Sequence, residues 1–146
     1  MTTLEQLIET TGRGVFATRA DSMVIDAIKQ MCRQHVRALL VGDLTDPVGI
    51  ICGRDVLERV VLQHRSPENT TVEDAMTATI VSLSSKSTPT EALEFMRGHR
   101  VHQVPIVADE VVVGLISSTD VMRWALGSKE DEIRSLTDYC SGKYPG

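Results

Sequence analysis

Two tetrapeptides carry the residues best suited to chemistry, Ser117-Ser118-Thr119-Asp120 and Cys52-Gly53-Arg54-Asp55. Each follows a short apolar run, Gly114-Leu115-Ile116 or Gly49-Ile50-Ile51, and reads as the opening turn of a helix. The free amides of such a turn attract anions, and a hydroxyl beside them can donate to a phosphate oxygen, which marks Ser117 and Thr119. An ionised Asp only accepts hydrogen bonds, so Asp120 and Asp55 suit the vicinal hydroxyls of a ribose better than a phosphate. The same spacing is that of an acidic capping box, which needs no ligand. Cys52 is a poor cap and a weak phosphate donor; Asp55 is then less well explained by capping, and Arg54 can supply the charge the thiol lacks, or stand as a solvated helix residue.

Further positive charge must be found in an acidic chain, with 15 Lys and Arg against 20 Asp and Glu and a net charge of −5. Arg37 and His102 occupy equivalent places, each just before a central strand, in Val36-Arg37-Ala38 and Val101-His102-Gln103. If His102 meets a phosphate, its protonation near neutral pH makes affinity pH-dependent; the alternative is an exposed histidine between two elements. A redox reading would use Cys52 at a helix start beside Arg54, but no second cysteine lies near in sequence to resolve an oxidised one, which favours a structural cysteine. His99 and His102 would need helical spacing to share a metal, and Gly98 ends the helix before them, so no metal site is expected. No nucleophile, base and orienting group converge, and the chain is not read as an enzyme.

The elements that position these groups come in duplicate. One ungapped offset of 65 carries Gly49 to Gly114, Ala27 to Ala92, Met31 to Met96, Val36 to Val101, Val41 to Ile106 and Asp55-Val56 to Asp120-Val121. A repeat of this period implies two similar units that pack on each other, since half the chain would bury little core alone. The periodicity predicts β-α-β-β-α in each unit. Strands are expected at 15–18, 38–41 and 48–51 with helices at 22–34 and 54–64, then strands at 80–83, 104–107 and 113–116 with helices at 88–98 and 119–126. Thr88, Pro89 and Glu91 give the clearest helix start. Short helices at 3–8 and 71–76 open the units, but these match at an offset of 68, so the first unit holds extra residues around Gly12. The reading is an α/β (α+β) chain with a first unit at 1–65, a second at 66–127 beginning with the linker Ser66-Pro67-Glu68-Asn69, and a charged C-terminal helix and tail at 128–146.

Composition bounds the rest. The 146 residues suit one domain or two small lobes of a soluble globule. No apolar run approaches the roughly 20 residues of a membrane span, and the start lacks the pattern of a signal peptide. A cytoplasmic protein is expected. Without a basic run there is no basis for DNA or RNA binding. Cys32, Cys52 and Cys140 are odd in number and widely spaced, as reduced thiols would be.

Both units resemble the cystathionine β-synthase (CBS) domain, and the pair resembles a Bateman module, over nearly the whole chain from Thr2 to Leu126. The most specific element is a strand ending in glycine and two apolar residues, then Ser or Thr, two variable residues, and Asp. Ser117 to Asp120 fits fully, whereas Cys52 departs at the first position. The resemblance implies two β-α-β-β-α units with pseudo-two-fold symmetry, no catalysis, no required cofactor, and a cleft between the units for AMP, ATP or another adenosyl ligand, with Asp120 and Asp55 on the ribose. It also implies that Arg37 and His102 face this cleft, and that Arg100-Val101-His102-Gln103-Val104-Pro105 resembles a phosphate-meeting run. An adenine would need apolar walls, for which Ile80, Pro105, Ile106 and Ile116, or Val15, Leu40 and Ile51, are available. Thr79 and Arg13-Gly14 could offer main-chain groups to its edge. The resulting expectation is a stand-alone, homodimeric regulatory sensor acting on another protein through a change of inter-unit angle. The rival is an interaction module whose pocket has decayed.

Overall fold

The structure, a computed structural model, describes residues 2–127; the helix expected at 128–140 lies outside them. The elements run α1 (Leu4–Thr11), β1 (Ala17–Thr18), α2 (Val24–Gln34), β2 (Ala38–Asp43), β3 (Asp46–Cys52), α3 (Gly53–Val56), α4 (Val72–Ala75), β4 (Leu83–Ser84), α5 (Pro89–His99), β5 (Gln103–Ala108), β6 (Val111–Ser117) and α6 (Ser118–Gly127). Helix α3 continues as a π-helical stretch, Leu57–Val61, closed by Leu62 N–H to Leu57 C=O and Arg65 N–H to Val60 C=O. Two three-stranded sheets result, β1-β2-β3 and β4-β5-β6, each with a parallel first pair and an antiparallel second pair. The first strands of both units are two residues long, and β4 begins later than the sequence pattern suggests, because only Leu83 and Ser84 align with Ile106 and Val107.

Helix ends follow local chemistry. Thr3 and Gln6 form a capping box on α1, and Gly12 ends that helix in the left-handed region that glycine tolerates best. Thr88 accepts from the Glu91 amide at the start of α5, with Pro89 in the first turn.

The two cores are closed by exchanged helices. Val72 and Ala75 of α4 lie in the first core, with Val24, Ala27, Met31, Leu39, Val41 and Ile51. Leu4 and Leu7 of α1 lie in the second, with Ala92, Met96, Val104, Ile106, Ile116 and Val121. The docking bonds repeat as the sequence does. Leu4 N–H donates to Ser87 C=O (2.8 Å) and Glu5 N–H to Ser85 C=O (3.0 Å), while Val72 N–H donates to Ser22 C=O (2.8 Å) and Glu73 N–H to Ala20 C=O (3.0 Å). The repeated glycines are explained by the same docking. A Cβ on Gly49 would meet the Met76 sulfur at 2.4 Å, and one on Gly114 would meet Ile8 Cδ1 at 2.8 Å. Each glycine is the flat spot where an exchanged helix crosses a strand. Among the described residues no helix is long and apolar enough to cross a membrane.

Leu4 is fully buried, so Leu4→Ala should cost about 3 kcal/mol in urea denaturation. Hydrogen exchange should show protection falling first in β4, β5 and β6, distant in sequence, before β1, β2 and β3.

Candidate functional site

Both aspartates cap the helix they stand in. The Ser117 amide donates to Asp120 Oδ2 (2.8 Å) and the Asp120 amide to Ser117 Oγ (3.2 Å). The Cys52 amide donates to Asp55 Oδ2 (2.9 Å). Both carboxylates are nonetheless buried, and each receives a further donor from the segment that follows an exchanged helix. The Thr77 hydroxyl reaches Asp55 Oδ1 at 2.9 Å. For Asp120 the donor is Arg13, whose guanidinium forks onto both oxygens at 3.0 Å and 2.6 Å and also donates to Leu115 C=O at 3.3 Å.

The difference between the two sites begins in sequence. The shift from an offset of 65 to one of 68 adds three residues to the first unit. Helix α4 stops at Ala75, and Thr77 then lies extended beside β3, exchanging two backbone bonds with Ile50 (3.0 and 2.8 Å). Helix α1 instead runs on to Thr11, so the residue matching Thr77 is Glu9, whose backbone belongs to the helix. It cannot bridge to Leu115, the match of Ile50. The Arg13 side chain reaches back to do so, and a cleft of about 220 Å³ opens there.

This cleft is lined by Val36, Arg37 and Ala38 from one unit and by Gln103, Leu115, Ser117, Thr119 and Asp120 from the other, together with Arg13 and Arg123. Three arginines thus line one cleft; Arg13 pairs with Asp120, while Arg37 and Arg123 are exposed and have no ion-pair partner among the described residues. Burial pushes the Asp120 carboxyl up, but the Arg13 guanidinium and the Ser117 amide outweigh it and hold the group below its ordinary value of 3.8.

The residues named from sequence therefore divide. Asp120, Ser117, Thr119 and Arg37 meet in this cleft. Arg54 and His102 meet elsewhere, beside Asp55, at 3.4 Å; Arg54 is also paired with Glu58 at 2.7 Å. Because a guanidinium has no lone pair to offer, His102 Nε2 is the acceptor in that contact. Ile51, Ile106 and Ile116 are packed inside the two cores, and Leu40 and Pro105 are buried as well. Thr79 is exposed and Ile80 half-buried, and neither lines the cleft. The apolar lining is Ile8, Val36 and Leu115. The Arg13 side chain, considered from sequence only for its main chain, was the missed group; a pairing across 107 positions leaves no local signal. Burial raises the Cys52 thiol above its ordinary value, opposite to the shift a reactive thiolate needs. No group of three metal-binding side chains occurs among the described residues.

A model of the CBS domain family matches residues 72–127. The chain is 28% identical over 152 residues to a mitochondrial CBS-domain-containing protein of Arabidopsis thaliana, covering 98% of this chain and 74% of that one. A solved structure of a protein with CBS domains from Burkholderia ambifaria is 33% identical, with a TM-score of 0.80 over 88% of this chain and 96% of the other. The CBS domain pair of the protein MJ0100, solved with 5′-methylthioadenosine and S-adenosyl-L-methionine, shares the fold at 21% identity and a TM-score of 0.76, over 88% and 99% of the two chains.

Since Asp120 has a lowered folded-state value, the stability its charge confers is complete above the ordinary 3.8 and is lost as pH falls through the lower folded value. Asp120→Asn should therefore be less stable than the parent at neutral pH, with the gap in urea midpoints closing only in that acid range. A gap independent of pH would mean that the carboxylate's charge is not what the ion pair uses.

Proposed function

The chain belongs to the CBS-domain family as a tandem pair, and on that premise we propose that it is a regulatory sensor binding an adenine nucleotide or related adenosyl compound of the AMP or ATP class between its two units. The observation that carries this is the Asp120 cleft, where a buried carboxylate stands beside Ser117, Thr119 and three arginines in a chain of net charge −5. The carboxylate matches vicinal ribose hydroxyls, while Arg37, Arg123 and the α6 start match phosphate. The MJ0100 pair, which shares this fold, was solved with two adenosyl compounds, which supports an adenosyl group in the cleft but not the phosphates.

A ligand here touches residues of both units, so it can shift their relative angle to the extent that it binds one arrangement better than the other. Its role is not catalysis, and the output passes to a partner protein. A second copy of this chain is one such partner. Leu57, Val61 and Leu62 after the start of α3, and Met122 of α6, are each more than half exposed, and Leu57 and Met122 are matched at the repeat offset of 65. An exposed apolar pair repeated on both units' last helices suits a symmetric contact, which also supports the rival reading of an interaction module.

Calorimetric titration of nucleotide-free protein with AMP, ATP and S-adenosylmethionine tests the sensor. Saturable binding should disappear in Asp120→Ala and weaken less in Asp55→Ala, with circular dichroism confirming that both variants fold. Failure of all three ligands to bind the parent would leave the interaction module standing. For the contact face, Leu57→Asp combined with Met122→Asp should halve the sedimentation mass; a parent that already sediments as a monomer would refute the homodimer.

A further inference from the structure

We propose that Arg13 is a latch on Asp120, released at low cost only by a ligand that carries negative charge, and that this makes the Asp120 cleft selective for a phosphate-bearing ligand. The proposal rests on the function proposed above and narrows its ligand class to nucleotides, against uncharged nucleosides or cationic adenosyl compounds.

The guanidinium fork and a vicinal diol ask the same thing of Asp120. Each presents two parallel donors to the two carboxylate oxygens, and Arg13 already supplies both, at 3.0 Å and 2.6 Å. A ribose can reach Asp120 only by exchanging with Arg13. What happens to the displaced guanidinium sets the balance. With an uncharged nucleoside, the ion pair is lost and nothing anionic takes its place, in a cleft that Arg37 and Arg123 also line. With a phosphate in the cleft, Arg13 exchanges one anion for another. The side chain has room for this, because Gly12, Arg13 and Gly14 are all exposed and Gly12 already sits at a φ of 64°. A sulfonium ligand would add positive charge where three arginines already gather.

The Asp55 site lacks such a latch. There Thr77 supplies a neutral hydroxyl to Oδ1 alone, which a side-chain rotation withdraws, so no counter-charge governs access to Asp55. Arg54 is already engaged with Glu58 and His102. Selectivity for negative charge should therefore be confined to the Asp120 cleft.

The test compares AMP with adenosine by calorimetry on the parent, Arg13→Gln and Arg13→Lys. The parent should bind AMP at least about tenfold more tightly than adenosine, the equivalent of one charge-assisted hydrogen bond. In Arg13→Gln that ratio should fall to within about threefold, through weaker AMP binding and unchanged or tighter adenosine binding; Arg13→Lys, charged but unforked, should keep most of it. Because the ratio is taken on one preparation, a fraction of unfolded variant does not move it. An unchanged ratio in Arg13→Gln, with both ligands still binding, would overturn the latch and leave the sensor intact. No binding of either ligand to any of the three proteins would overturn both.

Discussion

The fold depends on an exchange of apolar helices between its two halves. Each three-stranded sheet has a face that its own helices do not fully cover, and the leading helix of the other repeat completes the cover. Leu4 and Leu7 supply this for the second core, Val72 and Ala75 for the first. Burying side chains of this size contributes roughly 1.5–3 kcal/mol each for the leucines and valine. Neither core is complete without a helix from the other half, so the two units are coupled by the hydrophobic effect rather than by a surface contact.

That exchange also builds the site. A helix crossing to the other unit must return, and the returning backbone passes the edge of a strand and the carboxylate at the next helix start. At Asp55 the return is tight and its own amide and carbonyl satisfy the strand edge. At Asp120 three added residues keep α1 helical through Thr11, and an arginine side chain takes over the bonding that backbone performs elsewhere. Duplication thus made two equivalent corners, and a short insertion left one of them with a charged partner and the other with a neutral one.

Capping and recognition are not rivals here. Asp120 Oδ2 holds the Ser117 amide while the carboxylate as a whole is paired with the Arg13 guanidinium. The cap fixes the carboxylate's orientation, and burial of the carboxylate strengthens the pairing while the arginine stays open to solvent.

The sequence by itself determined the repeat, the order of strands and helices, and the pairs Asp55 and Asp120, Gly49 and Gly114. These follow from local periodicity and from a ladder of matched residue types, both readable along the chain. It even contained the cause of the asymmetry, as an offset of 65 that becomes 68 at the leading helices. Tertiary structure decided what those features do. Ile51, Ile106 and Ile116 have the right chemistry for a pocket wall, but strand alternation turned them into the cores, and Ile8, Val36 and Leu115 face the cleft instead. Arg54 and His102 were drawn to one corner and Arg37 to the other. Above all, Arg13 acquired its role only because α1 docks on the far unit and delivers it beside a carboxylate 107 positions away. Pairings of that kind are set by how helices exchange to bury apolar surface, and no pattern confined to neighbouring residues can encode them.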